Sequence, residues 1–478
     1  MDRKNALVIC SDEHARSALG CYGHPIVQTP TLDRLAARGM RFSRAYTPSP
    51  ICISARACLA TGTQVHENRC WSSAEPYYGQ HESWMRRLRD HGHATVSVGK
   101  LHFRSGADDN GFSEEILPMY LANDGKGWPQ GLIRNPMPGF DEVTELARDA
   151  GPGESTYTEY DRRIAAAACR WLGRYPAAIK SKPWALFVSF VSPHYPLTAP
   201  QKFFDLYAGH EMPATVAGDH NQKPNHPVLR EMAKFWDYDS HFDEKTRDLA
   251  KRGYFGLCSF LDDNIRQVME ALEDSGAARD TVVIYITDHG EMLGNHGFWA
   301  KSVMYEDAVA IPLIMSGGDV PVGVNHTPVS LTDIAATVET IVGLACPAAT
   351  EAWQSRPLQG FIDAPEAERF ILSEYHDGGS PTGFFMIRQG PWKYIFYAGG
   401  HPCQLFNLQD DPDELLDLGG APDHEGVREM MHGFLTSILD PEEINAQAFA
   451  DQAVLLSSYG GPEKVLAMPS FNHTPVGS

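Results

Sequence analysis

Val282–Glu291 reads VVIYITDHGE: six apolar or β-branched residues without a charge, then an acid, an imidazole, a glycine and a second acid. A run so short and continuous suits a strand buried on both faces, as in a parallel sheet covered by helices. The same pattern recurs outward from this stretch. Ala6–Cys10 (ALVIC) is followed by the polar cluster Ser11–His14, Thr95–Val98 by Gly99–His102, and Ala185–Val191 (ALFVSFV) by Ser192–His194. Helix-like segments lie between these runs: Thr31–Arg38 (TLDRLAAR), which opens on a Thr suited to N-capping, and the long pattern Tyr254–Leu272. The alternation predicts an α/β fold with a large, mixed, mostly parallel sheet flanked by helices.

Near residue 365 the pattern changes. Phe384–Arg388, Trp392–Tyr397 and Gln404–Asn407 read as short strands between Gly and Pro turns, and Val427–Leu439 as a helix. This predicts a smaller C-terminal antiparallel sheet plus helix. The expected division is an α/β catalytic domain over 1–365 and an α+β subdomain with a tail over 366–478. No internal repeat or low-complexity tract interrupts either part.

Composition narrows the function. The chain of 478 residues carries a formal charge of −21. Such a surface repels nucleic acid and anionic membranes, so neither is an expected partner. No stretch approaches the roughly 20 apolar residues of a membrane helix, and MDRKNALVIC at the N-terminus does not read as a signal peptide. The nine cysteines are odd in number and never spaced CxxC, which reads as reduced thiols in a cytoplasmic protein.

In open parallel sheets, ligands sit beyond the carboxyl ends of the strands. The four polar clusters all fall at such ends, so this topology predicts one shared site. Asp12, Glu13 and Asp288, with His289, offer the oxygen-rich donors a hard divalent cation takes. Each acid alone could equally be a helix cap or a solvated loop charge. Lys100 and His102 (VGKLHF), His194 (VSPHYP) and Lys301 (FWAKS) each abut apolar sequence, where a lysine must be paired or desolvated. Ser49–Gly62, SPICISARACLATG, places Cys52 four residues before Arg56. A helix beginning near Ser54 would put Cys52 at its N-terminus, where free N–H groups favour anions, with Arg56 able to fold back onto the Cys52 side chain. A bare CxxxR is equally compatible with a structural Cys beside a surface Arg.

Taken together these blocks carry a resemblance. PICISARACLATG (50–62) resembles the signature of the formylglycine-dependent sulfatases of the alkaline phosphatase superfamily, Cys-x-Pro-x-Arg followed by Thr-Gly. NALVICSDEHARSALGCYGHPIVQTPTLDRLAARGMRFSRAY (5–46), GKLHF (99–103), SPHYPL (192–197), TDHGEMLGNHGFWAKSVMYEDAVAIPLI (287–314), VSLTD (329–333), SEYHDGG (373–379) and IRQGPWKYI (387–395) resemble other blocks of that family in order and spacing, over residues 5 to about 420. GKLHF, SEYHDGG and DDPDELLDL (410–418) look closest to choline-sulfatase-like and phosphonate monoester hydrolase-like members. Ser54 departs from the pattern, since the family usually has Pro or Ala there, and Glu13 stands where relatives often have Asp or Gln.

The resemblance implies an alkaline phosphatase-like fold and hydrolysis of a sulfate monoester. It implies Cys52 converted to formylglycine by a modifying enzyme, and one Ca²⁺ or Mn²⁺ held by Asp12, Glu13, Asp288, His289 and residue 52. The hydrated aldehyde would attack sulfur, His194 and Lys301 would protonate the leaving alcohol, and His102 would take the proton that lets the hemiacetal expel sulfate. Arg56, Lys100 and Lys301 would stabilise the sulfuryl oxygens. Asn68, Trp128, Tyr195 and Glu374 are the expected alcohol-side residues, a Trp face with an acid suiting a quaternary ammonium group. A small anionic ester is the expected substrate partner, and a homo-oligomer, dimer or tetramer, the expected assembly. The tail Ser470–Ser478 (SFNHTPVGS) reads either as disordered or as a cover for a neighbouring subunit's site. Two other functions remain open. One is hydrolysis of phosphonate monoesters or phosphodiesters by the same groups. The other is a silent metal-binding protein, if Ser54 prevents conversion of Cys52. A zinc phosphatase fits less well, because zinc prefers several His ligands.

Overall fold

A computed structural model describes residues 3–174, 182–218, 223–346, 349, 351 and 354–477. The continuous apolar runs form the centre of a nine-stranded sheet. Along its main path the order is Gly323–Asn325, Gly39–Tyr46, Ala310–Gly317, Thr281–Thr287, Asn5–Asp12, Ala185–Pro193, Thr95–Lys100 and Glu114–Met119. The four runs read as parallel strands are neighbours and parallel: Ala6 aligns with Ala185 on one side and Val282 on the other, and Thr95 aligns with Ala185. Their burial is complete from end to end apart from Asn5, as a sheet with both faces covered requires.

The sheet is mixed because Ala310–Gly317 runs antiparallel to both Thr281–Thr287 and Gly39–Tyr46. Helices cover both faces. The long helix Glu244–Asp274 starts ten residues before the periodic pattern, capped by Asp243, whose carboxylate accepts the Thr246 N–H at 2.7 Å. It packs on Thr156–Arg174 and the Ala185–Pro193 strand. On the other face lies Cys52–Thr61. Residues 52–60 of this helix are all buried, and it has no polar face, the pattern of a helix enclosed within a core.

The C-terminal sheet is a four-stranded antiparallel meander, Ile371–Tyr375, Phe384–Gln389, Trp392–Tyr397 and Gln404–Asn407. Its strands alternate sides with period two. Tyr375, Phe384, Met386, Ile395, Tyr397 and Phe406 join a core with Met292, Phe298 and Met304 of the large domain. Leu372, Phe385, Ile387, Tyr394 and Leu405 face Met431, Leu435 and Leu439 of the following helix region. The small sheet is thus a wall against the large domain, with Glu425–Ile438 behind it. A further helix, Pro441–Ser458, starts on Asp440 as N-cap and packs against Pro129–Leu132 and the Phe384–Gln389 strand. All nine cysteines are free. Among the described residues, no helix is long and apolar enough to cross a membrane.

Candidate active site

The strand-end clusters converge. Asp12 ends the first strand, Asp288 and His289 follow the Thr281–Thr287 strand, and Cys52 is the first residue of its helix. The helix therefore begins two residues earlier than the sequence suggested. Asp12, Cys52, Asp288 and His289 each present a ligand atom within 4.8 Å of one another, all buried. Cys52 Sγ lies 3.1 Å from His289 Nε2 and 3.7 Å from Asp12 Oδ1. The His289 ring is oriented from behind, its Nδ1 3.0 Å from the Gly290 carbonyl, which leaves Nε2 facing the cluster. Two carboxylates, an imidazole nitrogen and the position-52 side chain make a donor set that fits a divalent cation.

Arg56 does not fold onto Cys52. Its guanidinium donates Nε–H to Asp288 Oδ2 at 2.8 Å and Nη2–H to Asp12 Oδ2 at 2.9 Å. Nη1 donates to the Lys100 carbonyl at 3.0 Å and Ser189 Oγ at 2.9 Å. Two carboxylates buried this deeply need a counter-charge, and only a planar fork reaches both. Lys100 Nζ pairs with the same Asp12 oxygen at 2.6 Å. Burial by itself would raise the Asp12 carboxyl, but Lys100, His194 and Arg56 outweigh it and hold the group well below the usual carboxylate range.

Glu13 belongs to a second such group, its carboxylate, Asp12 and His194 also presenting ligand atoms within 4.8 Å of one another. It has a positive φ of 65°, and its Oε2 takes an ion pair from Lys301 Nζ at 2.9 Å and lies 3.2 Å from His194 Nε2. Its carboxylate thus faces Lys301 and His194 more than the Cys52 cluster. Burial pushes Glu13 well above the usual carboxylate range despite Lys301. His194 is locked in one tautomer: Nδ1–H donates to the Tyr195 carbonyl at 2.7 Å, so Nε2 accepts from Lys301 Nζ at 2.9 Å. Burial, then the Lys301 charge, keep this ring neutral. Lys301 Nζ also sits 4.7 Å above the Tyr195 ring. His102 is buried with both ring nitrogens lacking a hydrogen-bond partner. Burial, Lys100 and Arg56 hold it well below the ordinary imidazole range, so a free ring nitrogen is available to accept a proton. Four buried acids (Asp12, Glu13, Asp288 and Glu291, the last bonded to Glu13) face three cations (Arg56, Lys100, Lys301). A dication added to that balance leaves the local excess of positive charge an anionic ester needs, despite the acidic exterior.

Beside Cys52 a cavity encloses about 800 Å³ of space, mouth included, lined in part by His102, His194 and Lys301. Trp128 and Tyr195 line it. Asn68 and Glu374 do not. Asn68 is consumed by its own turn, Oδ1 accepting the Cys70 N–H at 2.9 Å and Nδ2 lying 3.3 Å from Cys58 Sγ. Glu374 pairs with His66 Nδ1 at 2.8 Å and His376 Nε2 at 3.4 Å. Burial would raise Glu374, but these imidazoles hold it down at about 2. The acid that does reach the cavity is Asp377, which accepts hydrogen bonds from Ser73 Oγ and the Gly378 N–H. Trp236, Tyr238, Trp299 and Phe140 complete an aromatic wall with Trp128. They come from loops and carry no periodicity, so no sequence pattern marked them.

Over the described residues 470–477 the tail packs against its own chain. Phe471, Asn472, His473 and Thr474 line the chain's own cavity. The Tyr157 hydroxyl donates to the Thr474 carbonyl at 2.7 Å, the Tyr238 hydroxyl to Asn472 Oδ1 at 3.1 Å, and Gln130 Nε2 to the Met468 carbonyl at 2.9 Å. These anchors fix a polar strand of chain that composition alone reads as mobile. Ser478 lies outside the described residues. A chain ending at Pro469 is expected to keep its fold, since the segment lost carries none of the sheet. Its KM should rise about tenfold or more with a smaller change in kcat, the pattern of lost ground-state binding. Unchanged steady-state constants would remove the tail from the binding wall.

The large mixed sheet with its small antiparallel partner defines the alkaline-phosphatase-like class of α/β fold. The chain belongs to the sulfatase family: the model described as Sulfatase matches residues 4–344, and that of the N-sulphoglucosamine sulphohydrolase C-terminal region matches 294–440. It is 30% identical to a choline-sulfatase of Rhizobium meliloti (strain 1021) over 429 residues, covering 88% of this chain and 83% of that protein. It is 28% identical to arylsulfatase K of Danio rerio, covering 92% and 84%. Among solved structures, the phosphonate monoester hydrolase of Agrobacterium radiobacter superposes with a TM-score of 0.72 at 22% identity, covering 93% of this chain and 96% of that one. A protein solved in complex with its substrate D-glucosamine-2-N,6-O-disulfate gives 0.73 at 19% identity, covering 94% and 99%.

Proposed function

We propose that this chain hydrolyses a sulfate monoester to an alcohol and sulfate, with residue 52 as the nucleophile after oxidation of Cys52 to formylglycine. Asp12, Asp288, His289 and residue 52, with Glu13 beside Asp12, would hold one divalent cation, Ca²⁺ or Mn²⁺, and Glu13 also pairs with Lys301. The observation that carries the reading is the Cys52 side chain at a helix start, buried against Asp12, Asp288 and His289 while Arg56 bridges the two acids. Burial, then the Asp12 charge, pushes the Cys52 thiol well above its ordinary range.

When bound, the cation supplies Lewis-acid charge at the reacting oxygens. The formyl group, once hydrated, supplies a hydroxyl with a second hydroxyl on the same carbon, which avoids a second attack on an anionic centre. The rest is done by the chain's own side chains. Arg56 holds Asp12 and Asp288 in register. Lys100 and Lys301 place positive charge beside the ester oxygens. Lys301, donating to neutral His194, keeps a proton at Nζ for the departing alcohol; Lys301 delivers it directly, or passes it to His194 Nε2, which then hands it on. His102, buried and neutral, takes a proton from a hydroxyl at position 52 through a free ring nitrogen. The aromatic wall, Asp377 and the tail exclude water around the alcohol.

The test combines peptide mass analysis across Cys52, a metal assay, and parallel assays on an aryl sulfate, a phosphate diester and a phosphonate monoester. The expected peptide is lighter by exchange of sulfur for oxygen and loss of two hydrogens, and sulfate turnover is the largest of the three. An unmodified thiol in active protein removes the nucleophile assignment. Greater turnover of the phosphonate or diester keeps the site and replaces the substrate.

A further inference from the structure

Lys301 lies in a turn that strains the backbone on both sides. Ala300 and Ser302 have φ of 59° and 78°, a region that favours glycine. Such conformations persist only where the surroundings over-determine them. Glu291, buried and outside the cavity lining, supplies one restraint. Its Oε1 accepts the Ala300 N–H at 2.7 Å and the Leu293 N–H at 2.8 Å. The Ala300 carbonyl in turn accepts the Met292 N–H at 2.7 Å, and the Ser302 N–H donates to the Pro50 carbonyl at 3.1 Å, two residues before Cys52. The turn is thus tied at one end to Glu291 and at the other to the segment that delivers the nucleophile. Lys301 Nζ emerges between them, 2.9 Å from both His194 Nε2 and Glu13 Oε2.

We infer that Glu291 is a positioning residue for leaving-group departure: by holding the Ala300 and Leu293 N–H groups it aims Lys301 at His194. The inference rests on the proposed role of the Lys301–His194 pair as proton source for the departing alcohol. An aryl leaving group of low basicity needs little proton assistance, whereas an alkyl alcohol needs it fully. Loss of Glu291 therefore damages alkyl esters selectively, an effect that general loosening of the site does not produce.

The experiment uses the full-length protein with Glu291→Ala and Glu291→Gln, each checked for bound metal and melting temperature. Turnover is measured on a nitrophenyl sulfate and on an alkyl sulfate. Glu291→Ala is expected to lower kcat on the alkyl ester about 100-fold and on the nitrophenyl ester less than about threefold. Glu291→Gln, which keeps an acceptor oxygen for both N–H groups, is expected to recover the alkyl reaction to within about fivefold of wild type. Equal losses on both esters, or no loss on either, overturn the inference. If the wild type cleaves neither ester, the proposed function fails by itself. A crystal structure of Glu291→Ala then decides the positioning claim: displacement of Lys301 from His194 supports it, and an unchanged 2.9 Å contact overturns it.

Discussion

Cys52→Ala is expected to bring ester hydrolysis down to the uncatalysed background, a loss of about 10⁵-fold or more, as when a nucleophile acting in concert with its partners is removed. Folding should barely notice. The substitution removes one sulfur from a buried helix start. The cavity left is smaller than that of a Leu→Ala change, so the cost is about 1 kcal/mol, a shift of a few degrees in melting temperature for a chain of this size. Asp12, Asp288 and His289 remain, and so does the Arg56 fork that sets their spacing. The variant should therefore retain metal, at reduced affinity. That combination, folded and metal-bearing but inert, separates loss of the nucleophile from collapse of the site. Activity near wild type would show that another group attacks, and the role of residue 52 would be lost with it.

Legibility in the sequence followed burial. The four central strands were readable because strands covered on both faces leave no charged interruption: Ala6–Cys10, Thr95–Val98, Ala185–Val191 and Val282–Thr287 all lie within observed strands. Gly39–Tyr46 was hidden because its pattern of buried and half-buried positions, with Arg41 and Arg44 among them, resembles neither a clean alternation nor an apolar run. Ala310–Gly317 is apolar but contains Pro312, a residue that sequence patterns read against a central strand. Once the parallel order was assumed, the strand ends had to meet, which is why Asp12, Asp288 and His289 could be grouped across 270 residues of chain. What side chains do on arrival was less readable. Arg56 was expected at Cys52 and instead spans two aspartates, because the demand for charge compensation comes from partners remote in sequence. Glu374, in the strand Ile371–Tyr375, and Asp377, just beyond it, differ by three positions, and only the fold tells which of them meets imidazoles and which meets the cavity.

Asp288→Ala carries the second large effect, and it acts through two separate debts. The first is to the cation: one donor disappears, and the remaining Asp12, His289 and residue 52, with Glu13 beside Asp12, are shorter of oxygen for a hard ion. Metal affinity is expected to fall by 100-fold or more, with ester turnover falling at least as far, about 10²–10³-fold. The second debt is internal. Asp288 Oδ2 accepts from Arg56 Nε at 2.8 Å, while Oδ1 accepts the N–H groups of Glu13 at 3.2 Å and His289 at 3.0 Å. Removing it leaves Arg56, fully buried, with Asp12 as its remaining carboxylate partner, a change worth about 3–5 kcal/mol of destabilisation. The two debts can be told apart by stripping metal from the wild type with a chelator. That treatment removes only ligand linkage, about 2.7 kcal/mol at a metal concentration 100 times Kd, and is reversed by adding the ion back. Asp288→Ala should melt below the chelated wild type, and added metal should not restore it. Full metal occupancy in Asp288→Ala would place the cation elsewhere and dissolve the ligand set. A melting temperature equal to that of the chelated wild type would mean that Arg56 does not depend on Asp288 for its charge balance.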